Sequence, residues 1–384
     1  MSQDEPPRAA RGGALSLFAA TAPGLEPLAA AELRALGIEA RVEPGGASFS
    51  GTIEDVYRAN LWLRTASRVI ARVGEFNARA LGELERRARQ QPWERFLTPG
   101  APLQLRVTCK KSRLYHTGAV AERVAEAIEA RIGGAVEARA AAPDEAEGED
   151  DAGGAATPLV IVRFLRDVCT LSVDSSGDLL HLRGYRLATA KAPMRETLAA
   201  GLLMASGWDT AAPLLDPMCG AGTIVIEAVL MARRIAPGLL RDRSDGSPPA
   251  FAFAGWPEFD ARRWRARAGD ARGRALHAAP ARIAGSDRDA GAIAAAVSNA
   301  ERAGVAADVE LSVRSLSGIE PGPTPGWLVT NPPYGVRVGE RDRLRNLYAQ
   351  LGNVARRRCV GWTVALLSAD EQLARATGMR LDTV

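Results

Sequence analysis

The sequence predicts an α/β protein in two parts, an α+β first half and a second half built on a doubly wound parallel sheet. Three observations support this prediction. From about residue 212, apolar runs of strand length alternate with helical segments, which is typical of a parallel sheet. Before that point the order of strands and helices is irregular. Within residues 214–228, a glycine-containing turn joins a short apolar run to a helix start, as in nucleotide-binding folds.

The first half alternates short apolar runs with segments of helical periodicity. Residues 52–55 read Thr-Ile-Glu-Asp, which is typical of a capped helix N-terminus. The predicted strands are 15–20, 39–42, 47–51, 69–73, 103–109 and a hairpin of 159–164 with 168–173. The predicted helices are 25–36, one that starts at 52–55, an arginine-rich helix within 76–91, and 119–132. This order is typical of a small split α+β domain.

The second half begins near residue 185, where the composition changes. Its predicted strands are 213–215, 283–287, 309–313, 327–330 and 362–367. Its predicted helices are 193–208, 223–235, 290–303 and 344–358. Residues 236–280 form an insertion that is first rich in Pro and Gly and then contains a helix rich in Arg and Ala. The alternation predicts a parallel sheet with helices on both faces.

Composition narrows the function classes. The chain has 384 residues and a formal net charge of +4, which permits a polyanionic partner without requiring one. Its four cysteines form no CxxC pair and its three histidines no HExxH, so we predict no metal site and a reducing, cytoplasmic location. No apolar run approaches the roughly 18 residues of a membrane span. Residues 1–13 are predicted to be a disordered tail, and the acidic stretch 144–151 a solvated loop.

The glycine loop after the first strand of the second half predicts a cofactor site. Gly220 and Gly222 allow positive φ and close approach of the backbone to a ligand. The third glycine of a dinucleotide fingerprint is missing, because Val225 stands there, and no GK[ST] follows. A cofactor with a ribose and an adenine but no phosphate therefore fits better than a dinucleotide or a triphosphate. The alternative is a plain tight turn.

Acidic residues at two strand ends support this site. Asp287 ends the second strand, where a carboxylate can accept both ribose hydroxyls. It could instead cap the next helix, although Asp289 is the better cap. Asp216 either reaches the amino group of the cofactor or holds the loop by accepting its N–H groups. We predict cofactor contacts from Asp216, Met218, Cys219, Gly220, Ala221, Gly222, Thr223, Asp287, Arg288, Ser315 and Asn331.

The sequence Asn331-Pro332-Pro333-Tyr334 follows an apolar strand and predicts the reaction. The amine of a planar ring is a poor nucleophile, because its lone pair is delocalised. The side-chain oxygen of Asn331 and the carbonyl of Pro332 can accept its two N–H bonds and favour the geometry that attacks a methyl group. Tyr334 can stack on a flipped base. We predict Asn331, Pro332 and Tyr334 as catalytic residues; the alternative is a rigid turn.

These motifs resemble those of a known family. Residues 184–384 look like a class I S-adenosylmethionine-dependent methyltransferase of the amino-methylating type, and the first half resembles a THUMP RNA-binding region with a ferredoxin-like lead-in. The bacterial 23S rRNA guanine-N2 methyltransferase family is most similar. The matching stretches are 21–26, 192–200, 214–228, 251–260, 285–287 and 331–335. The resemblance implies a Rossmann-like methyltransferase domain over 185–384, preceded by the ferredoxin-like and THUMP region over 14–184.

The resemblance also implies a substrate, which is structured RNA. The implied reaction transfers a methyl group from S-adenosylmethionine to the N2 amine of a guanine in 23S rRNA, in a monomer without membrane or metal. The alternatives are a tRNA guanine, an RNA-binding factor with an inactive fold, and a DNA adenine or protein glutamine methyltransferase. The candidate phosphate contacts are Lys110, Lys111, Arg113, Arg183 and Arg186.

The sequence departs from the family pattern at two places. Ser315 stands where such enzymes often carry an Asp that binds the adenine amine. The family usually continues beyond Val384 into an antiparallel hairpin, without which an apolar strand edge near residues 364–367 is expected to be exposed.

Overall fold

A computed structural model describes residues 13–134, 138–140, 157–186, 194–242, 247, 249–334 and 341–383. The chain divides into two compact units, residues 1–180 with 241–269 and residues 181–240 with 270–384. Segment 241–269, predicted as part of an insertion in the second half, thus groups with the first unit. Residues 1–12 of the predicted tail, the acidic stretch 144–151 and residue 335 lie outside the described residues.

A mixed sheet forms the centre of the first unit. Its strands are β1 (Leu15–Thr21), β2 (Ala40–Glu43), β3 (Gly46–Gly51), β4 (Ala66–Asn77), β5 (Leu103–Lys110), β6 (Ala138–Ala140), β7 (Leu159–Leu165) and β8 (Val168–Asp174). They are ordered β2-β3-β1-β4-β8-β7-β5-β6. The pairs are antiparallel except that β5 runs parallel to β7 and β6. Because β4 pairs with both β1 and β8, it joins the lead-in strands to the rest of the sheet.

The helices of this unit lie where the sequence predicts. They are α1 (Glu26–Ala35), α2 (Ile53–Trp62), α3 (Leu81–Arg89) and α4 (Thr117–Ile132), with starts that differ by one or two residues for α1 and α4. The predicted cap of α2 is present as a full capping box, in which Thr52 and Asp55 satisfy each other's backbone N–H groups. β6 was not predicted, since its three residues are too few to show a period.

Segment 241–269 completes the apolar core of the first unit with aromatic rings. Tyr57, fully buried in α2, contacts Phe253 at 5.0 Å, Trp264 at 5.8 Å and Phe259 at 5.9 Å between ring centroids. The N–H of Asp260 donates to Tyr57 Oη at 2.9 Å. Burial of this size and a satisfied hydroxyl make the segment part of the core of the first unit.

The second unit contains the predicted parallel sheet. Its strands are β9 (Leu214–Asp216), β10 (Ile283–Asp287), β11 (Val309–Val313), β12 (Trp327–Thr330) and β13 (Thr363–Leu366). They are ordered β11-β10-β9-β12-β13, and every pair is parallel. Helix α7 (Ala261–Gly273) begins in the first unit and ends in the second. The other helices of the second unit are α5 (Glu196–Ala205), α6 (Thr223–Ala232), α8 (Ala290–Arg302), α9 (Arg341–Arg358) and α10 (Glu371–Ala376).

Both faces of this sheet carry apolar cores. Leu214 and Ile283 belong to one buried cluster, while the next residues, Leu215 and Ala284, belong to another. Successive side chains on a strand point to opposite faces, so β9 and β10 are apolar toward both faces at these positions, as expected for a doubly wound sheet. No helix within the described ranges is long and apolar enough to cross a bilayer.

Candidate functional site

Three strand ends meet at the carboxyl edge of the second sheet. β9, β10 and β12 are parallel neighbours, so their last residues, Asp216, Asp287 and Thr330, lie along one edge. The chain moves outward from β9 to β10 and β11 and then returns to the other side of β9 with β12. Such a reversal leaves a crevice at the strand ends, where α/β proteins bind their ligands.

Two glycines shape the loop after β9. φ is +52° at Gly220 and +84° at Gly222, the residue that caps α6. A Cβ added at Gly222 would lie 3.0 Å from Cβ of Ala296, whereas no atom of the described residues lies within 4 Å of a Cβ added at Gly220. The loop is therefore packed tightly against α8 at one glycine and open at the other. A ligand can approach the backbone at Gly220.

Asp287 ties this loop to β10. One of its carboxylate oxygens accepts the N–H of Gly220 at 3.0 Å, and the other accepts the N–H of Asp289 at 3.0 Å. The N-cap of α8 is Asp289, whose side chain accepts from the first turn of that helix, as the sequence predicts. Asp287 is therefore not the helix cap and faces the glycine loop. Its contact with a ribose stays a prediction.

Asp216 anchors the start of the same loop by hydrogen bonds. It is 1% exposed, and its Oδ1 accepts the N–H of Met218 at 3.1 Å and the hydroxyl of Thr330 at 2.7 Å. Burial raises the pKa of Asp216 to about 7, against the lowering effect of these hydrogen bonds. Of the two roles considered for Asp216, these contacts supply the loop-holding one. The contact with a cofactor amine stays a prediction.

Asn331 carries an acceptor without a partner. Its Oδ1 is buried, and no described residue hydrogen-bonds to it. Pro332 is buried, while Pro333 and Tyr334 are exposed, with 40% of Tyr334 accessible. A buried amide oxygen without a hydrogen bond costs free energy of about 1–3 kcal/mol, so an incoming N–H donor would be bound here.

The other predicted cofactor residues differ in accessibility. Cys219 is buried, its N–H donates to the carbonyl of Ser286 at 3.0 Å, and burial raises the pKa of its thiol. Thr223 is buried at the start of α6. Arg288 and Ser315 are exposed just after β10 and β11. Hydrogen bonds thus join the glycine loop to β10. Arg288 and Ser315 lie just beyond the ends of β10 and β11.

A cavity of about 340 Å³ lies against β10 and β11. The Oγ of Ser286, which lines it, is buried and has no hydrogen-bond partner among the described residues. Residues 314–326, all described, form a 3-10 turn at Leu316–Gly318 rather than a covering helix, which leaves this space. Within the described ranges, no group of three His, Cys, Asp or Glu side chains could hold a metal ion.

Two residues at this edge were missed by sequence reasoning. Asn299 is 3% exposed, and its Nδ2 donates to the carbonyl of Ala221 at 2.9 Å. Thr330 is fully buried and bonds Asp216. Asn299 falls on the apolar face of α8, and Thr330 ends an otherwise apolar strand. A polar residue at a core position must find a buried partner, and that rule could have identified both.

Three of the predicted phosphate contacts are exposed in the first unit. Lys110 ends β5, and Lys111 and Arg113 lie in the loop that follows. Ion pairs of these three side chains with carboxylates are absent from the part of the chain that the structure describes. They are therefore available to phosphates.

The other two predicted contacts, Arg183 and Arg186, are not. The side chain of Arg183 is 2% exposed and its Nε lies 3.1 Å from Glu227, which also accepts from Tyr185 at 3.2 Å. Arg186 is 6% exposed and lies 3.4 Å from Glu196. Buried guanidinium groups that are already paired cannot reach a phosphate, so the structure argues against both assignments. The sequence alone does not show whether an arginine near a domain boundary is buried or exposed.

The comparisons with known proteins agree with these features. Residues 183–384 match the RMKL-like methyltransferase domain family, and residues 16–70 match the RlmL ferredoxin-like domain. The chain belongs to this methyltransferase family. The predicted class I fold and its ferredoxin-like lead-in are confirmed.

Relatives of this family match nearly all of the chain. The ribosomal RNA large subunit methyltransferase K/L of Syntrophotalea carbinolica is 40% identical over 376 residues, covering 94% of this chain and 50% of that protein. "Putative RNA methyltransferase slr0064" of Synechocystis sp. is 35% identical, covering 94% of this chain and 91% of that protein. The chain spans about half the length of the large-subunit methyltransferases K/L that it matches.

A solved structure of similar length has the same fold. The crystal structure of SMU.472, which contains SAH, superposes with a TM-score of 0.83 at 29% identity and covers 96% of this chain and 93% of its own. That protein of this fold was crystallised with the product form of S-adenosylmethionine.

Proposed function

We propose that this chain is an S-adenosylmethionine-dependent methyltransferase that methylates the N2 amine of a guanine in RNA, and that the RNA is 23S rRNA. The observation that carries the proposal is the buried Oδ1 of Asn331, which has no hydrogen-bond partner among the described residues and lies at the same sheet edge as an anchored glycine loop. Membership of the family and the names of its relatives support RNA as the substrate. A tRNA guanine is the alternative.

The residues of this edge suit S-adenosylmethionine. The open backbone at Gly220 admits a ligand, and the carboxylate of Asp287 at the end of β10 can accept from ribose hydroxyls. The exposed hydroxyl of Ser315 after β11 would take the place of the usual Asp near the adenine. The bound cofactor supplies an electrophilic methyl group.

Asn331 and Pro332 orient the amine of the substrate. The side-chain oxygen of Asn331 and the carbonyl of Pro332 accept its two N–H bonds and draw the nitrogen toward tetrahedral geometry. The exposed ring of Tyr334 stacks on the base, which contributes about 1–3 kcal/mol. Alignment then supplies most of the rate, for which about 7–11 kcal/mol is available. The proton becomes acidic after transfer, so no strong base is required.

The first unit delivers the RNA in this proposal. We assign residues 14–184 to a ferredoxin-like and THUMP RNA-binding region and residues 185–384 to the methyltransferase domain. The exposed Lys110, Lys111 and Arg113 contact phosphates, which fixes the RNA without reading its sequence. The protein acts as a monomer in the cytoplasm, where ribosomal RNA is met.

Replacing the catalytic amide tests the mechanism. We expect Asn331→Ala to lower the rate of methyl transfer roughly a hundredfold or more, because an acceptor aligned only with the reacting amine is lost. Cofactor affinity, measured by calorimetry, should stay within a few-fold of wild type. Tyr334→Phe keeps the ring and serves as the matched control with near-normal activity. Collapse of cofactor binding in Asn331→Ala would show that Asn331 acts through the cofactor or the fold rather than through the substrate amine.

A labelled-methyl assay tests the substrate class. The protein is incubated with S-adenosylmethionine carrying a labelled methyl group and, in parallel, with 23S rRNA, tRNA, DNA and protein. We expect label in 23S rRNA, recovered as N2-methylguanine. Label in tRNA alone selects the alternative, and label in DNA or protein alone contradicts the proposal. Absence of cofactor binding with an intact fold would identify an inactive RNA-binding factor.

A further inference from the structure

The loop after β5 presents an aromatic ring to solvent. Among the described Phe, Trp and Tyr side chains, Tyr115 and Tyr334 are the exposed ones, at 66% and 40%. The ring of Tyr115 lies 4.1 Å from that of His116 between centroids, with the planes inclined by 38°. His116 precedes α4, and its side chain makes no capping hydrogen bond. Tyr334 belongs to the methyl-transfer site, and nothing in that site accounts for Tyr115.

The loop is held rigid by the β7–β8 hairpin. The N–H of Arg113 donates to the carboxylate of Asp167 at 2.7 Å, and the N–H of Asp167 donates to Ser112 Oγ at 2.9 Å. The N–H of Arg166 donates to the carbonyl of Lys110 at 3.2 Å. These bonds fix both ends of the segment that precedes Tyr115. An exposed ring on a fixed backbone loses little entropy when a ligand stacks on it.

The surroundings of this ring are positively charged. Lys110, Lys111 and Arg113 precede it in the loop, and Arg166 lies at the tip of the adjoining hairpin, all exposed. The nearby carboxylate of Asp167 is already engaged by Arg79, whose Nε lies 3.1 Å away. The surface therefore combines an unsatisfied cationic cluster with a flat aromatic face. Phosphate and nucleobase together match that combination.

We propose that Tyr115 and His116 form a stacking platform for an unpaired nucleotide of the RNA substrate. Lys110, Lys111 and Arg113 hold the phosphates beside it. A base inside a helix has both faces covered by its neighbours, whereas an unpaired base leaves a face open to a protein ring. The platform therefore distinguishes RNA with a single-stranded segment from a fully paired helix. This inference rests on the proposed function, because it takes the partner to be RNA.

The test compares two RNA probes that differ in one feature. One is a labelled blunt duplex of two RNA strands, and the other is the same duplex with a short single-stranded extension. We expect Tyr115→Ala in the full chain to weaken binding of the extended duplex roughly 5- to 100-fold in fluorescence anisotropy. Binding of the blunt duplex should change less than twofold. Tyr115→Phe, which keeps the ring, should bind both probes as wild type does.

Two further variants separate stacking from charge and from general surface change. Lys111→Gln should weaken both probes equally and reduce the salt dependence by about one phosphate contact. Leu165→Ala, an exposed apolar residue of the adjoining hairpin, should change neither. Equal weakening of both probes by Tyr115→Ala, or no weakening of either, overturns the platform.

The test of the stacking platform can be distinguished from the test of the proposed methyl transfer. Calorimetric binding of S-adenosylmethionine should be unchanged in Tyr115→Ala. If wild type binds the extended duplex through Tyr115 but methylates no RNA, the proposed function fails and the platform stands. If RNA is methylated and Tyr115→Ala binds the extended probe as wild type does, the platform fails and the proposed function stands.

Discussion

At the scale of single residues, the hydrogen bond between Thr330 and Asp216 joins the two predicted parts of the site. It connects the strand that ends before Asn331 to the strand that ends before the glycine loop, at 2.7 Å. Sequence reasoning identified Asp216, Asp287 and Asn331 because polar residues after apolar strands stand out. It missed Thr330, although a polar residue at the end of an apolar strand requires a buried partner. The identity of that partner could not be predicted, because Asp216 is distant in sequence.

The buried carboxyl of Asp216 predicts a pH effect on stability. Its pKa of about 7 in the folded protein exceeds the ordinary value of 3.8, so between these values the folded state holds a proton that the unfolded state lacks. The free energy of unfolding therefore falls as pH rises from about 4 to about 7, by up to about 1.4 kcal/mol per pH unit. Glu196, with a pKa of about 7, contributes in the same direction.

Asp216→Asn isolates the contribution of one group, because the amide keeps an acceptor for Thr330 and cannot ionise. We expect the variant to gain stability relative to wild type as pH rises from 5 to 8, measured by urea unfolding across that range. A stability difference that is constant with pH would show that the carboxyl does not titrate there.

At the scale of elements, the sequence located nearly all strands and helices. Period-two and helical patterns are local properties, and caps and glycines mark their ends, so element ends differ by a few residues. β6 and α10 were not predicted, because segments of three and six residues carry too few apolar positions to show a period. The pairing of β4 with both β1 and β8 could not be predicted, since strand order depends on contacts between distant residues.

The glycine loop predicts a difference between two alanine substitutions. Gly220→Ala and Gly222→Ala both place a Cβ at positive φ, which costs roughly 1–2 kcal/mol. At Gly222 the added Cβ also lies 3.0 Å from Ala296, whereas the space at Gly220 is open. We therefore expect Gly222→Ala to lower the free energy of unfolding more than Gly220→Ala does, in urea titrations.

For cofactor binding we expect the opposite ranking, with Gly220→Ala more harmful than Gly222→Ala. Because Gly220 faces open space, its substitution should weaken S-adenosylmethionine binding even where stability is largely kept. Equal stability losses in the two variants would show that α8 yields to the new methyl group.

At the scale of the whole molecule, segment 241–269 was the least predictable feature. Composition marked it as part of an insertion between β9 and β10. The sequence could not show that this segment belongs to the core of the first unit, because Tyr57 and Phe253 are far apart in the chain.

Phe253→Ala tests this assignment. Phe253 is fully buried, its ring stacks on Phe251 at 5.2 Å, and its N–H donates to the carbonyl of Ser175 at 3.0 Å. Loss of the ring should destabilise the first unit by about 3–5 kcal/mol. Hydrogen exchange should accelerate in α2 and near Ser175 rather than in α6. Val360→Ala, at a 75% exposed position, is the control, and accelerated exchange confined to α6 would contradict the assignment.

The discontinuous first unit also constrains its synthesis on the ribosome. Tyr57 is translated early, but the rings of Phe253 and Trp264 that cover it are made only after β9 and α6. At about 5–20 residues per second, the ribosome needs on the order of ten seconds to advance from residue 180 to residue 264. During that interval the nascent chain presents an open aromatic surface. A chaperone would be needed most during this interval. The strands of the first sheet, β1 to β8, have all been synthesised by then, but the aromatic residues that complete the core have not.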